Sequence, residues 1–214
     1  MSGIPTTSFE PSFFLASGSP RRQQLLREAG YCFRIVLPSV DESVRPFELP
    51  LAYVQRMAES KSIEGFKMNG CLGPTLGADT VIILDNAIIG KPKDYDDAVR
   101  ILSLLSGRIH RVVTAFAFTN GYGSTASDMV TTEVAFRTLS SSQIKAYCAG
   151  GEPMDKAGAY AIQGGGREFV ARCTGSFTNV IGLPMDETAM MLASYGIFPS
   201  GSGLAAGFGM GALF

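Results

Sequence analysis

The sequence predicts an α/β fold built as one folding unit. Three observations predict it: a strand, a small-residue loop and a helix follow one another over residues 12–30; apolar residues recur at helical spacing over Pro50–Gly65 and again after Asp94; and strand-like apolar runs lie between those helices. At 214 residues and 46% hydrophobic content, the chain is long enough to bury a sizeable core. Residues 1–12 read as a polar lead-in, 13–198 as the folded unit, and 199–214 as a glycine-rich, low-complexity tail expected to be mobile.

Composition removes several classes of function. Lys plus Arg total 18 against 19 for Asp plus Glu, and the net charge of -1 gives no general attraction to nucleic acid or anionic lipid. Cys32, Cys71, Cys148 and Cys173 are scattered without a C-x-x-C pair, which fits a reducing compartment better than zinc fingers or a disulfide framework. No apolar run approaches the ~18 residues needed to span a bilayer, and the N-terminus lacks the features of a signal peptide, so the expected location is cytoplasmic. His110 is the single histidine, which excludes two-histidine mechanisms. It lies within the strand-like run Ile109–Thr119, where a structural role is expected.

Taken in order, Phe13–Ala16 suits a buried strand, Ser17-Gly18-Ser19 breaks it, and a helix follows with Ser19 as N-cap and Pro20 at its first position. Gly30 is placed to end that helix, and Leu25, Leu26 and Ala29 give it a core face. Free N–H groups and the positive end of the helix dipole attract anions, and Arg21 and Arg22 add guanidinium forks that match phosphate oxygens. The competing reading is a capped surface helix with two solvated arginines. The loop is neither a P-loop nor a dinucleotide-binding turn.

Phe33–Leu37 is strand-like and leads past Pro38 into Val40-Asp41-Glu42-Ser43, a loop position where Glu42 could act. The helix over Pro50–Gly65 carries Leu51, Val54, Met57 and Ala58 on its buried stripe, and the next position on that stripe is Lys61. A core-facing lysine must either snorkel to solvent or meet an anion. Asp79-Thr80 then enters the run Val81–Leu84, and Asp85-Asn86 turns the chain into Ala87–Ile89 and Lys91. With those two residues at the turn, Ile83 faces Ile88 and Thr80 faces Lys91, which brings Lys91 beside Asp79. An aspartate entering so apolar a strand requires a lysine or a metal ion to compensate it.

Asp94 caps the next helix, which buries Ala98, Ile101, Leu102 and Leu105 up to Gly107. Ile109–Thr119 and Asp128–Thr138 read as strands, and Ser140 with Gln143 as a capping box. Gly164-Gly165-Gly166, just after Gln163, reads as a flexible loop or as a place where a ligand approaches the backbone. Phe169–Cys173 and Asn179–Ile181 read as strands, and Gly182-Leu183-Pro184 opens a last helix with Thr188, Met191 and Leu192 turned inward.

The motifs LASGSPRRQQLL, VDES, ESKS, GADTVI, GKPKDYDDAVRILSLLSGR, DKAGAYAIQGGG and GSFTNVIGLP, in this order from Leu15 to about Tyr195, resemble the Maf family of septum-formation-inhibitor-like nucleotide pyrophosphatases. Arg21, Thr80 and Gln163 follow the branch that hydrolyses dTTP and UTP rather than the one acting on 7-methyl-GTP. The resemblance implies an elongated α/β fold, a mixed sheet flanked by helices with a cleft between two lobes, commonly in a homodimer. It implies hydrolysis of a nucleoside triphosphate to the monophosphate and pyrophosphate with a divalent metal ion, Mg2+ or Mn2+. By analogy, Asp79 is the proton acceptor and Glu42 with Asp79 holds the metal. Ser17, Arg21, Arg22, Lys61 and Lys91 would bind the phosphates, and Arg21, Thr80 and Gln163 would set specificity. The rival reading is a non-catalytic nucleotide-binding regulator of cell division. Nucleic-acid binding and dinucleotide-dependent redox chemistry both fit the motifs poorly.

Overall fold

A computed structural model describes residues 11–200. Its strands are β1 (Phe13–Ala16), β2 (Phe33–Ile35), β3 (Thr75–Leu84), β4 (Ala87–Ile89), β5 (Ile109–Thr119), β6 (Thr125–Phe136) and β7 (Val170–Thr174). They form one seven-stranded mixed sheet ordered β2-β1-β3-β5-β6-β7, with β4 on β3 off that path. β1 runs parallel to β2 and β3, and the other pairings are antiparallel. The helices are α1 (Pro20–Glu28), α2 (Pro50–Met68), α3 (Tyr95–Leu105), α4 (Ser141–Ala149), α5 (Phe177–Ile181) and α6 (Met185–Ser194).

β3 and β5 are buried on both faces, which is why they read as continuous apolar runs rather than alternating ones. On β3, Ala78, Ile82 and Leu84 join the larger core with Phe13, Leu26 and Leu102, while Val81 and Ile83 join a smaller core under α2. Val54, Met57 and Ala58 bury against this second core as expected, but Leu51 is exposed because it lies in the first turn of α2.

The α2–β3 contact depends on Gly77. A Cβ there would lie 2.4 Å from Ser62 N and 2.6 Å from Ala58 O, both backbone atoms of α2. No side chain can rotate away to relieve that overlap. Ser62 Oγ donates to Thr75 O at 2.7 Å and completes the seam. Gly77→Ala is expected to destabilise the fold by about 1–3 kcal/mol through overpacking, seen as a lower urea midpoint. An unchanged midpoint would mean that α2 is free to shift.

His110 has the structural role its strand position implied. It is 1% exposed, its Nε2 lies 2.9 Å from Tyr160 Oη, and its ring packs edge-on against Phe136. Its Nδ1 is buried with no hydrogen-bond partner among the described residues. Burial pulls its pKa from 6.5 to about 4. As pH falls through this window the unfolded chain takes up a proton that the folded chain does not, so stability falls with pH. About 3 kcal/mol is expected to be lost between pH 6.5 and 4 on this account. Urea titrations at several pH values check this: His110→Gln should flatten the slope across that window.

Several local expectations hold. Asp94 Oδ1 accepts from Asp97 N at 2.8 Å, and Ser140 and Gln143 form the capping box. Three are corrected. Ser19 occupies the N-cap of α1 without a side-chain bond, and its own N–H donates to Ser17 Oγ at 3.2 Å instead. Asn179–Ile181 belongs to helix α5 rather than a strand, because Ser176 Oγ accepts from Asn179 N and Gly182 then ends the turn. Residues 152–169 hold three short 3-10 turns, Glu152–Asp155, Ala157–Ala159 and Gly165–Phe169, in place of an open loop. The expected mobile tail from residue 201 onward lies outside the described residues, as do residues 1–10 of the lead-in.

Candidate active site

The β1–α1 loop, the middle of β3, the inner face of α2 and the 155–162 segment enclose a cleft of about 770 Å³. β1 ends at Ala16 while its neighbour β3 continues past Gly77. That early end gives room for Ser17-Gly18-Ser19 and for the N-terminus of α1. Ser17, Arg21, Arg22, Glu42, Lys61, Asp79, Thr80 and Lys91 all line the cleft. Gln163 does not; it is exposed, next to the lining residue Ile162.

The centre of the charge arrangement is Lys61. Its Nζ lies 2.7 Å from Asp79 Oδ1 and 2.7 Å from Glu42 Oε1, so two carboxylates meet at one ammonium. The alternative of a snorkelling Lys61 is overturned, since its side chain is only 15% exposed. The hydrogen bond from Lys61 holds Glu42 below the usual carboxylate range. Asp79 Oδ2 has no hydrogen-bond partner among the described residues.

The hairpin has the expected register, Ile83 opposite Ile88, but the ladder ends at Ile82–Ile89 and does not extend to Thr80 and Lys91. The ion partner of Asp79 is therefore Lys61 from α2. Lys91 sits exposed at the rim and contributes charge to Glu42 from there.

Arg22 departs most from expectation. It is buried, and its guanidinium donates to Gly182 O (2.7 Å), Ala78 O (2.9 Å), Ser17 Oγ (3.2 Å) and Thr80 Oγ1 (3.0 Å). These bonds occupy four of its five N–H groups. Arg22 braces the cleft floor, whereas Arg21 beside it has no hydrogen bond or ion pair among the described residues and is the better placed of the two for an anion.

Other supports were not legible from residue type. Tyr53 Oη donates to Glu42 O at 2.9 Å, and burial followed by the charges of Asp79 and Glu42 pushes its pKa up to about 12. Arg56 donates from Nε and Nη2 to Glu48 and from Nη2 to Ser43 O, fastening the loop that carries Glu42 onto α2. Asn179 donates to Val112 O and Thr132 Oγ1 and accepts from Thr114 N, which docks α5 on the sheet and sets the height of Gly182. Asn179 stood inside the quoted motif GSFTNVIGLP, the one available signal.

The cleft lining is chemically mixed: Arg21, Lys61, Lys91 and Lys156 bring cationic charge, and Ile82, Val112, Tyr160, Ile162 and Ile181 bring apolar surface. Such a site suits an anionic group joined to a flat, partly apolar one. Among the described residues no three His, Cys, Asp or Glu side chains cluster as a metal site. The paired carboxylates still fit magnesium, which is commonly held by one or two carboxylates with phosphate and water completing its shell.

A family model described as Maf-like protein matches residues 12–195. A dTTP/UTP pyrophosphatase of Vibrio cholerae is 45% identical over 181 residues, covering 85% of this chain and 96% of that protein. A protein of the same name from Shewanella denitrificans is 46% identical over 190 residues, covering 86% and 96%. Among solved structures, a HAM1 protein from Coxiella burnetii is similar at 19% identity and a TM-score of 0.42, over 59% of this chain and 73% of that one. No helix of the described residues is long and apolar enough to cross a membrane.

Proposed function

Because the chain belongs to the Maf-like protein family, we propose that it hydrolyses dTTP and UTP to the nucleoside monophosphate and pyrophosphate, using a divalent metal ion. The observation that carries this reading is the convergence of Asp79 and Glu42 on Lys61, in a cleft lined by both cations and apolar side chains.

In this reading Arg21, Lys91 and the free N–H groups of α1 receive the triphosphate, and Ser17 offers its hydroxyl beside them. Lys61 stabilises charge that builds on the leaving pyrophosphate. Asp79 orients the attacking water and accepts its proton, with Oδ1 steadied by Lys61 and Oδ2 open to the water. Magnesium or manganese, held by Glu42 and Asp79, would neutralise phosphate charge and acidify water when bound. Ile82, Val112, Tyr160, Ile162 and Ile181 offer the pyrimidine ring its apolar contact. Arg21, Thr80 and Gln163 are the specificity residues of this proposal, Thr80 acting through its bonds to Arg22 and Thr114. Gln163 would need to turn inward to reach a base edge, where its amide can both donate and accept. A homodimer and a cytoplasmic location complete the proposal.

Pyrophosphate release from dTTP, UTP, CTP, ATP and 7-methyl-GTP, with and without magnesium, tests it. Metal-dependent release from dTTP and UTP is the expected result. Nucleotide binding without release from any member would replace the hydrolase with a non-catalytic regulator.

A further inference from the structure

Of the three consecutive glycines after Gln163, Gly164 and Gly165 have a physical explanation in Glu152, while Gly166 is set by the Ala161 backbone, 2.8 Å from where its Cβ would lie. Its Oε1 accepts from Tyr147 Oη at 2.8 Å and its Oε2 from Gly165 N at 3.1 Å. Tyr147 Oη in turn accepts from Ala161 N at 3.2 Å, and Glu152 O accepts from Lys156 Nζ at 2.7 Å. A Cβ on Gly164 would lie 2.2 Å from Glu152 Oε1, and one on Gly165 would lie 3.2 Å from the Tyr147 ring. Gly164 and Gly165 are thus the space into which this carboxylate and phenol fit. The segment held in this way supplies Lys156, Ala157, Tyr160 and Ile162 to the cleft wall and carries Gln163 between its two fastened ends.

We propose that Glu152, acting through Tyr147 and the Gly164-Gly165 backbone, is a positioning residue for nucleobase recognition: it fixes the cleft wall that carries Tyr160 and Ile162 and the turn bearing Gln163, and so sets the preference for pyrimidine nucleotides. This rests on the reading of the cleft as a nucleoside triphosphate site. Neither Glu152 nor Tyr147 lines the cleft, so both act at one remove. Arg21 and Lys61 come from α1 and α2, which share no hydrogen bond with Glu152 among the described residues, whereas Lys91 follows Gly90, whose carbonyl accepts from Gly158 N in the held segment at 3.0 Å.

Steady-state kinetics on the full chain test this with UTP and ATP as substrates, pyrophosphate as product inhibitor, and wild type, E152A, E152Q and Y147F side by side. E152A is expected to raise KM for UTP about tenfold with a smaller change in kcat, the signature of lost positioning at the base. Its preference for UTP over ATP should narrow, while inhibition by pyrophosphate stays as in wild type. E152Q keeps an acceptor for Tyr147 or Gly165 and should restore part of the preference. Y147F removes a single hydroxyl and carries the same test if E152A does not fold. An unchanged UTP-to-ATP preference in folded E152A or Y147F overturns the clamp alone, as does an equal weakening of pyrophosphate inhibition. A wild-type chain inactive on every triphosphate overturns the hydrolase reading and this proposal with it.

Discussion

Asp79→Asn is expected to lower metal-dependent pyrophosphate release from dTTP and UTP by about 10²–10⁴-fold, the range for a lost general base. The substitution is nearly isosteric, and the side chain is 16% exposed, so the fold should survive it. The amide oxygen can still accept from Lys61 Nζ, which keeps Lys61 near its place between Asp79 and Glu42. An amide cannot take a proton from water at neutral pH. The loss should therefore fall on kcat, with the affinity for UMP measured by calorimetry little changed. Near-normal kcat in a folded variant would remove Asp79 from the chemistry and turn attention to Glu42, the other carboxylate on Lys61.

Arg22→Ala is expected to act on the fold first. Deleting the guanidinium removes the side-chain donor of Ala78 O and leaves Gly182 O only the long bond from Thr80 Oγ1 at 3.4 Å, in a buried setting, at about 1–3 kcal/mol each. A total of about 2–6 kcal/mol is a large part of the stability of a domain this size, and urea unfolding would register it as a lower midpoint. Arg22→Lys should recover little, since an ammonium cannot reach four acceptors arranged around a planar fork. If Arg22→Ala unfolds with the wild-type midpoint and loses only affinity for triphosphate, the brace is wrong and Arg22 is the phosphate ligand its neighbour Arg21 is taken to be.

The charged members of the site were legible because each breaks a local pattern. Asp79 interrupts an apolar strand, Lys61 falls on the buried stripe of a helix, and the arginine pair opens a helix beside small residues. Their partnerships were less legible. Lys61 meets Glu42 and Asp79 only because α2 crosses β3 at Gly77, and a strand–helix crossing leaves no periodic trace in sequence. The hairpin suggested Lys91 for Asp79, since turn geometry is local while the α2 contact is not. The bracing bonds of Arg22 were not legible because their acceptors, Ala78 O and Gly182 O, are backbone atoms with no residue-type signature. Asn179–Ile181 has strand-like composition and is too short for a helical period to declare itself. The Ser176 cap, in the same segment, decides the matter.

The Arg22 brace also has a consequence in time. Its acceptors at Ala78 and Gly182 lie 56 and 160 residues along the chain from it. On a ribosome the guanidinium is made first, and its last acceptor appears only 160 residues later. Until then a charged group destined for burial has no full set of partners, so the cleft floor cannot close around it, and long-range closures of this kind come late in folding. Order in which the termini emerge thus decides when this protein can first hold its ligand: nucleotide affinity should arise near the end of folding, after the central sheet has formed.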